Sequence, residues 1–244
     1  MAKHQAAPGA ERVSVTALLF PLVSVLYFEA VFSYFARTGM TVYKVLFALS
    51  AGAFGLALSR LTPSRALNFL LQSAWLLFCG GLAAAQYLCF AASGAYVSLF
   101  GGGALPSGGA LLAAAAENLP FLACLLLPPL AVQCTLQRGA LWHRSSLPGR
   151  LLGADWLEPI GALLLAAILA FVSVTIAFYD ADSEASPRRQ LDIELMPAAS
   201  VETFGVVPEA ALDFKYNVLH LQGEEIVRRY VVSADGTRSE LPAE

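Results

Sequence analysis

Charge is what this sequence has least of. Asp, Glu, Lys and Arg make up only 14% of its 244 residues, against ~25% in an average soluble domain. There is no basic excess either: 15 Lys+Arg stand against 18 Asp+Glu. That excludes a nucleic-acid binder, which needs a cationic footprint for phosphates. Histidine is scarce, and His4, His143 and His220 fall on different segments with no metal-ligand spacing. The cysteines Cys79, Cys89, Cys124 and Cys134 all lie in apolar runs, and none forms a C-x-x-C pair. They read as small packing residues rather than bridges or ligands. No acid, base or nucleophile cluster of the kind an active site needs can be picked out.

What fills the space instead is hydrocarbon. The chain is 57% hydrophobic, with a mean hydropathy of +0.64. A single soluble globule of this length cannot hide that much apolar surface. The expected class is an all-α integral membrane protein. Charge is also unevenly placed. Residues 1–179 carry nine basic and five acidic side chains, and residues 180–244 carry six and thirteen. The break at Tyr179–Asp180 separates a membrane region, 1–179, from an extracytoplasmic juxtamembrane tail, 180–244.

Five stretches approach the ~20 apolar residues needed to cross hydrocarbon: 13–35, 42–59, 67–90, 118–136 and 157–179. The first is read as an uncleaved helix, because its apolar run is too long for a signal peptide and no A-x-A site follows. The fourth carries Pro120, Pro128 and Pro129, which predicts a kink near its middle. Lys3, Arg12, Arg60, Arg65, Arg138, Arg144 and Arg150 all fall on one side of this arrangement. The positive-inside rule makes that side the cytoplasm, so the N-terminus is expected inside and the tail outside a membrane crossed five times.

Between the third and fourth stretches lies SGAYVSLFGGGALPSGGALLAAAAE. Its glycines break a continuous helix, and Ser107 suits the cap of a short helix over Gly108 to Glu117. With no G-K-[ST] following, a phosphate-cradling role is disfavoured against a plain loop. At membrane depth the candidate functional residue is Glu29, about 24 Å along the first helix and so near its outer edge, within reach of Arg37. Asn68, Gln72, Gln86 and Gln133 are expected to bond between helices. The small residues Ala48, Ala51, Gly52 and Gly55, and Gly80, Gly81, Ala84 and Ala85, permit close helix approach.

In the tail, DADSEASPRRQ reads as a polar linker. An amphipathic helix is expected over Pro208 to Gln222, stopped by Gly223. Its apolar face, Leu212, Tyr216 and Leu219 with Phe214, Val218 and Leu221 beside it, is expected to rest on the outer membrane surface. EIVRRYVVS (225–233) reads as extended, with Asp235–Gly236 as a turn.

Three stretches together resemble a known family. They are YFEAVFSYFARTG, the run from Tyr87 through AYVSLFGGGALPSGG to ENLPFLACLLLPPL, and VETFGVVPEAALDFKYNVLHLQGEE. The chain resembles the N-terminal membrane region of the lipoteichoic acid synthase-like, sulfatase-fold membrane proteins of Gram-positive bacteria. That family also has five spans, N-terminus in and C-terminus out, and the resemblance implies a bacterial plasma membrane. The resemblance implies an external α/β domain beyond the joining segment. There a divalent metal, commonly manganese, and a threonine nucleophile transfer glycerol phosphate from phosphatidylglycerol in cell-envelope polymer synthesis. No residue here matches those motifs, and 180–244 is too short for such a domain. The chain is therefore expected to lack the catalytic domain, to hold no cofactor or metal and no catalytic residue itself, and to meet the bilayer, with phosphatidylglycerol a candidate partner and nucleic acid none. The alternative reading is a self-sufficient small polytopic membrane protein, acting as a partner-binding subunit or carrier.

Overall fold

The computed structural model describes residues 15–62, 64–101, 105–135, 157–179, 186–192, 196–221, 230–232 and 238–240. Five helices follow the five apolar stretches: α1 (Val15–Ala36), α2 (Val42–Leu58), α3 (Arg65–Ser93), α5 (Leu119–Thr135) and α6 (Leu157–Tyr179), with a short α4 (Gly108–Glu117) before α5. After them come α7 (Pro187–Asp192), α8 (Pro197–Phe204) and α9 (Val206–Asn217), then an antiparallel hairpin of β1 (Tyr230–Val232) and β2 (Arg238–Glu240).

Local chemistry sets the helix ends. Thr41 Oγ1 accepts from Lys44 N at 3.1 Å, Ser64 Oγ from Leu67 N at 3.4 Å and Ser107 Oγ from Ala110 N at 3.3 Å. Each hydroxyl satisfies one amide that its own helix leaves unbonded. Gly94, at φ 75°, closes α3 by donating its N–H to Phe90 O at 2.7 Å.

Among the described residues three helices, α1, α3 and α6, are long and apolar enough to cross a membrane, and the α4–α5 pair makes a fourth if it counts as one bent span. By length and composition this is a multi-pass membrane protein. α2 is apolar but has only 17 residues. The bend expected at Pro128–Pro129 is not where the chain breaks. α5 runs as one helix through both prolines, and the 75° bend between α4 and α5 lies at Asn118.

The core lies where α1, α3 and α5 meet, around Phe28, Phe32, Leu76, Cys79, Phe121 and Leu125. α2 packs between α1 and α6. A Cβ on Gly52 would fall 2.5 Å from Leu22 Cα, so α1 and α2 touch backbone to backbone there. α6 sits at the margin: 22% of its apolar window is buried, and Leu164, Ile168 and Phe171 stay exposed, as suits a helix facing lipid. Cys79 and Cys89 are buried, whereas Cys124 and Cys134 are exposed, so only two of the four thiols pack inside as expected. All four are free.

The tail departs most from expectation. Part of the expected linker is helical, as α7. The helix expected over Pro208–Gln222 begins earlier, at Val206, and ends at Asn217. Its apolar face is divided. Leu212 and Tyr216 are buried with Tyr43, Phe204 and Ala177, while Phe214, Val218, Leu219 and Leu221 remain exposed. The helix is thus seated on the protein through part of that face, and the rest of the face stays exposed. The expected extended segment contributes β1. The Asp235–Gly236 turn, Gly223, Lys3, His4, Arg12, Arg138, Trp142, His143, Arg144, Arg150 and Trp156 lie outside the described residues.

Candidate functional site

One cluster of buried polar side chains lies where the α1–α2 turn and the 94–101 loop meet α8 and α9. Glu29, on α1, is 6% exposed. Its Oε2 accepts from Val206 N at 3.2 Å, and its Oε1 lies 3.9 Å from Lys44 Nζ. Lys44, fully buried near the start of α2, also donates to Ser33 Oγ at 3.0 Å and Thr38 Oγ1 at 2.8 Å. Arg37, the partner first in view for Glu29, is exposed in the α1–α2 turn with φ 57°. A cavity of about 10 Å³ adjoins Glu29 and Lys44, room for about one water molecule.

Gly205 explains why Glu29 is used. It joins α8 to α9 with φ 96° and ψ 178°, a region open essentially to glycine alone. α9 therefore begins without a side-chain cap of its own. The carboxylate of Glu29 supplies the cap from a different helix, placing negative charge at the positive end of α9.

Two further carboxylates fasten the same helix. Glu209 Oε2 accepts from Gln86 Nε2 at 3.0 Å, while Gln86 also donates to Val97 O at 2.7 Å and accepts from Val97 N at 3.2 Å. Asp213 accepts from Ser98 Oγ at 2.5 Å, Phe100 N at 2.9 Å and Asn217 Nδ2 at 2.6 Å. Both acids are fully buried. Burial, with Asp213 nearby, raises the Glu209 carboxyl from 4.5 to about 8, opposed by the Gln86 hydrogen bond. Burial likewise pushes the Tyr96 hydroxyl, in the loop below, up to about 12. On the α2 side, Thr41 Oγ1 donates to Thr203 O at 2.5 Å, and Phe204 meets Tyr43 and Phe47 edge-on at 5.6 and 5.9 Å.

The expected amide bridges resolve differently. Gln133 Nε2 does bond between helices, to Ser73 Oγ at 3.0 Å. Asn68 instead bonds the backbone and hydroxyl of Thr62, in the turn before α3. Gln86 serves the loop and α9. The Gln72 amide finds no partner among the described residues.

Every carboxylate in this arrangement is engaged by a donor from another segment, so each of these bonds fastens one element to another. Among the described residues no group of three or more His, Cys, Asp or Glu is placed to hold a metal ion. No family model, curated protein or solved structure matches the chain. Lys44, Gln86, Glu209 and Asp213 were not singled out as a set from sequence. One signal was available for Lys44. Consecutive apolar stretches each carry a lone charge of opposite sign near the same end, and such charges pair.

Proposed function

We propose that this chain is the membrane-anchoring module of a lipoteichoic acid synthase-like enzyme. In this reading it crosses a bacterial plasma membrane five times, with its N-terminus in the cytoplasm, and carries the catalytic domain outside. α2 counts as a crossing despite its length because it packs between two long apolar helices, α1 and α6. The observation behind the anchoring role is the fastening of α9. Three buried carboxylates, Glu29, Glu209 and Asp213, tie α9, the third helix after α6, to the α1 helix, to Gln86 of α3 and to the 98–100 loop. A simple tether needs no such joint. A module that must hold a following domain at a set height and angle over the bilayer does.

Glu29 then has a structural role, as the cap of α9, and not one in transport. Phosphoglycerol transfer belongs to the following domain, and so does any manganese. The test is made on the gene and on the protein. The reading frame continued past Glu244 should encode a sulfatase-fold domain with a threonine nucleophile. The chain alone, purified in detergent with manganese, should release no glycerol phosphate from phosphatidylglycerol above a no-protein control. A stop codon directly after Glu244, or turnover by the chain alone, would overturn the anchor reading in favour of a self-sufficient membrane protein.

A further inference from the structure

A groove of about 730 Å³ runs along one flank of the bundle, between α2, α6 and the helices of the tail, within the usual size of small-molecule pockets. Phe47, Phe54, Trp75, Ala166, Val174 and Leu212 are among its walls. Its polar wall groups are already engaged: Ser50 Oγ donates to Ala166 O at 2.8 Å, and Trp75 Nε1 donates to Ala51 O at 2.9 Å. Apart from Lys215, the described walls therefore offer van der Waals contact, which selects hydrocarbon. On α6 the lining runs from Leu163 to Val174. That is about 16 Å of helix at 1.5 Å per residue, or about half of a ~30 Å hydrocarbon core. That stretch is the middle of α6, and from there the lining continues to Leu191 and Lys215 of the tail.

At the tail end the groove meets Lys215, the one charged side chain among the described residues that line it. The ammonium donates to Leu191 O at 2.5 Å and lies 4.8 Å from the Tyr216 ring centre. An ammonium has three protons to give, and among the described residues one is taken by Leu191 O. Arg188, exposed on α7, stands about one helical turn before the groove-lining Leu191. The nearby acids of α9 are occupied elsewhere, Glu209 by Gln86 and Asp213 by Ser98 and Phe100. Cationic chemistry thus sits at the headgroup end of a hydrocarbon slot.

We propose that this groove holds an acyl chain of one anionic phospholipid, with its phosphate set against Lys215. The site reads charge and not the rest of the headgroup. The inference needs only that α6 crosses the bilayer, and it stands or falls independently of the anchor reading.

The full chain would be reconstituted into nanodiscs of phosphatidylcholine mixed in equal parts with phosphatidylglycerol or with phosphatidylserine. After extraction in mild detergent, native mass spectrometry would count the retained lipid. One lipid per chain is expected, with either anionic lipid favoured about five-fold over phosphatidylcholine, the effect of one basic residue at a membrane surface. Lys215→Gln keeps a donor for Leu191 O but removes the charge, and should bring the retained ratio down to that of the bulk. Lys215→Arg should keep the preference. Ala170→Trp fills the slot and should abolish retention of all three lipids. An unchanged ratio in Lys215→Gln, or retention of phosphatidylglycerol without phosphatidylserine, would overturn the proposal. If Ala170→Trp fails to fold, the Lys215 pair decides alone.

Discussion

Glu29 and Gly205 leave each other no room. A Cβ built on Gly205 would fall 2.7 Å from the carboxyl carbon and from both carboxyl oxygens of Glu29. The contact joins residues far apart in sequence, since the hydrogen bond that accompanies it spans 177 positions. Gly205→Ala therefore meets two penalties at once, a collision with Glu29 and a backbone conformation an L-residue resists. The expected cost is roughly 1–3 kcal/mol from the backbone alone. Thermal unfolding in detergent should register it. Amide hydrogen exchange at Val206 should rise with it, because the cap bond is the first thing lost. Unchanged exchange at Val206 would mean that Glu29 does not cap α9.

The Glu29–Lys44 pair should behave as a unit. Removing one partner from a buried pair leaves a stranded charge and costs about 3–5 kcal/mol. Glu29→Gln and Lys44→Met should each destabilise the protein. The double variant should cost less than the two combined, by about 0.5–3 kcal/mol of coupling. Strict additivity in denaturation experiments would show that the 3.9 Å approach carries no energy.

Glu209 gives the joint a pH dependence of known sign. Its carboxyl is raised from 4.5 to about 8 in the folded protein, so the folded state prefers the neutral form. The stabilisation is complete below about pH 4.5 and is lost as pH rises to about 8. The steepest slope allowed is about 1.4 kcal/mol per pH unit. Glu209→Gln, neutral throughout, should flatten that part of the profile. The comparison to make is melting temperature against pH for both proteins in one lipid.

Orientation is open to labelling. In a background lacking Cys79, Cys89, Cys124 and Cys134, single cysteines at Gly102 and Ser183 should react with an impermeant maleimide on intact cells. One at Ser146 should react only after permeabilisation. Reaction of the Ser146 position in intact cells would reverse the topology.

The helices were legible in the sequence because local terms decide them. An uninterrupted apolar run forces helix in hydrocarbon, and Ser107 marks a start that the structure uses. The short helix over Gly108–Glu117 was readable for the same reason. The joint was not. Glu29, Gln86 and Glu209 each looked like a lone polar residue in its own segment, and periodicity cannot say which lone residues meet. The seat of α9 was hidden differently. Leu212, Tyr216, Leu219 and their neighbours make a respectable amphipathic face, but amphipathicity does not distinguish a protein surface from a lipid surface. Gly205 tipped the choice by turning α9 back over Glu29, a placement that only the folded chain reveals.

The shortness of α2 has a mechanical corollary. Its 17 residues reach about 25 Å, several ångströms less than a ~30 Å hydrocarbon core, while α1 and α6 on either side reach further. α2 begins at the fastened end, so a thicker bilayer cannot be met by sliding this helix without dragging Lys44 and everything bonded around it. Tilt of α2 is limited in the same way by the helices that flank it. In the proposed five-span arrangement, membrane thickness is thereby coupled to the posture of α9, and a change in lipid chain length would be felt at the joint, far from where the lipids themselves differ.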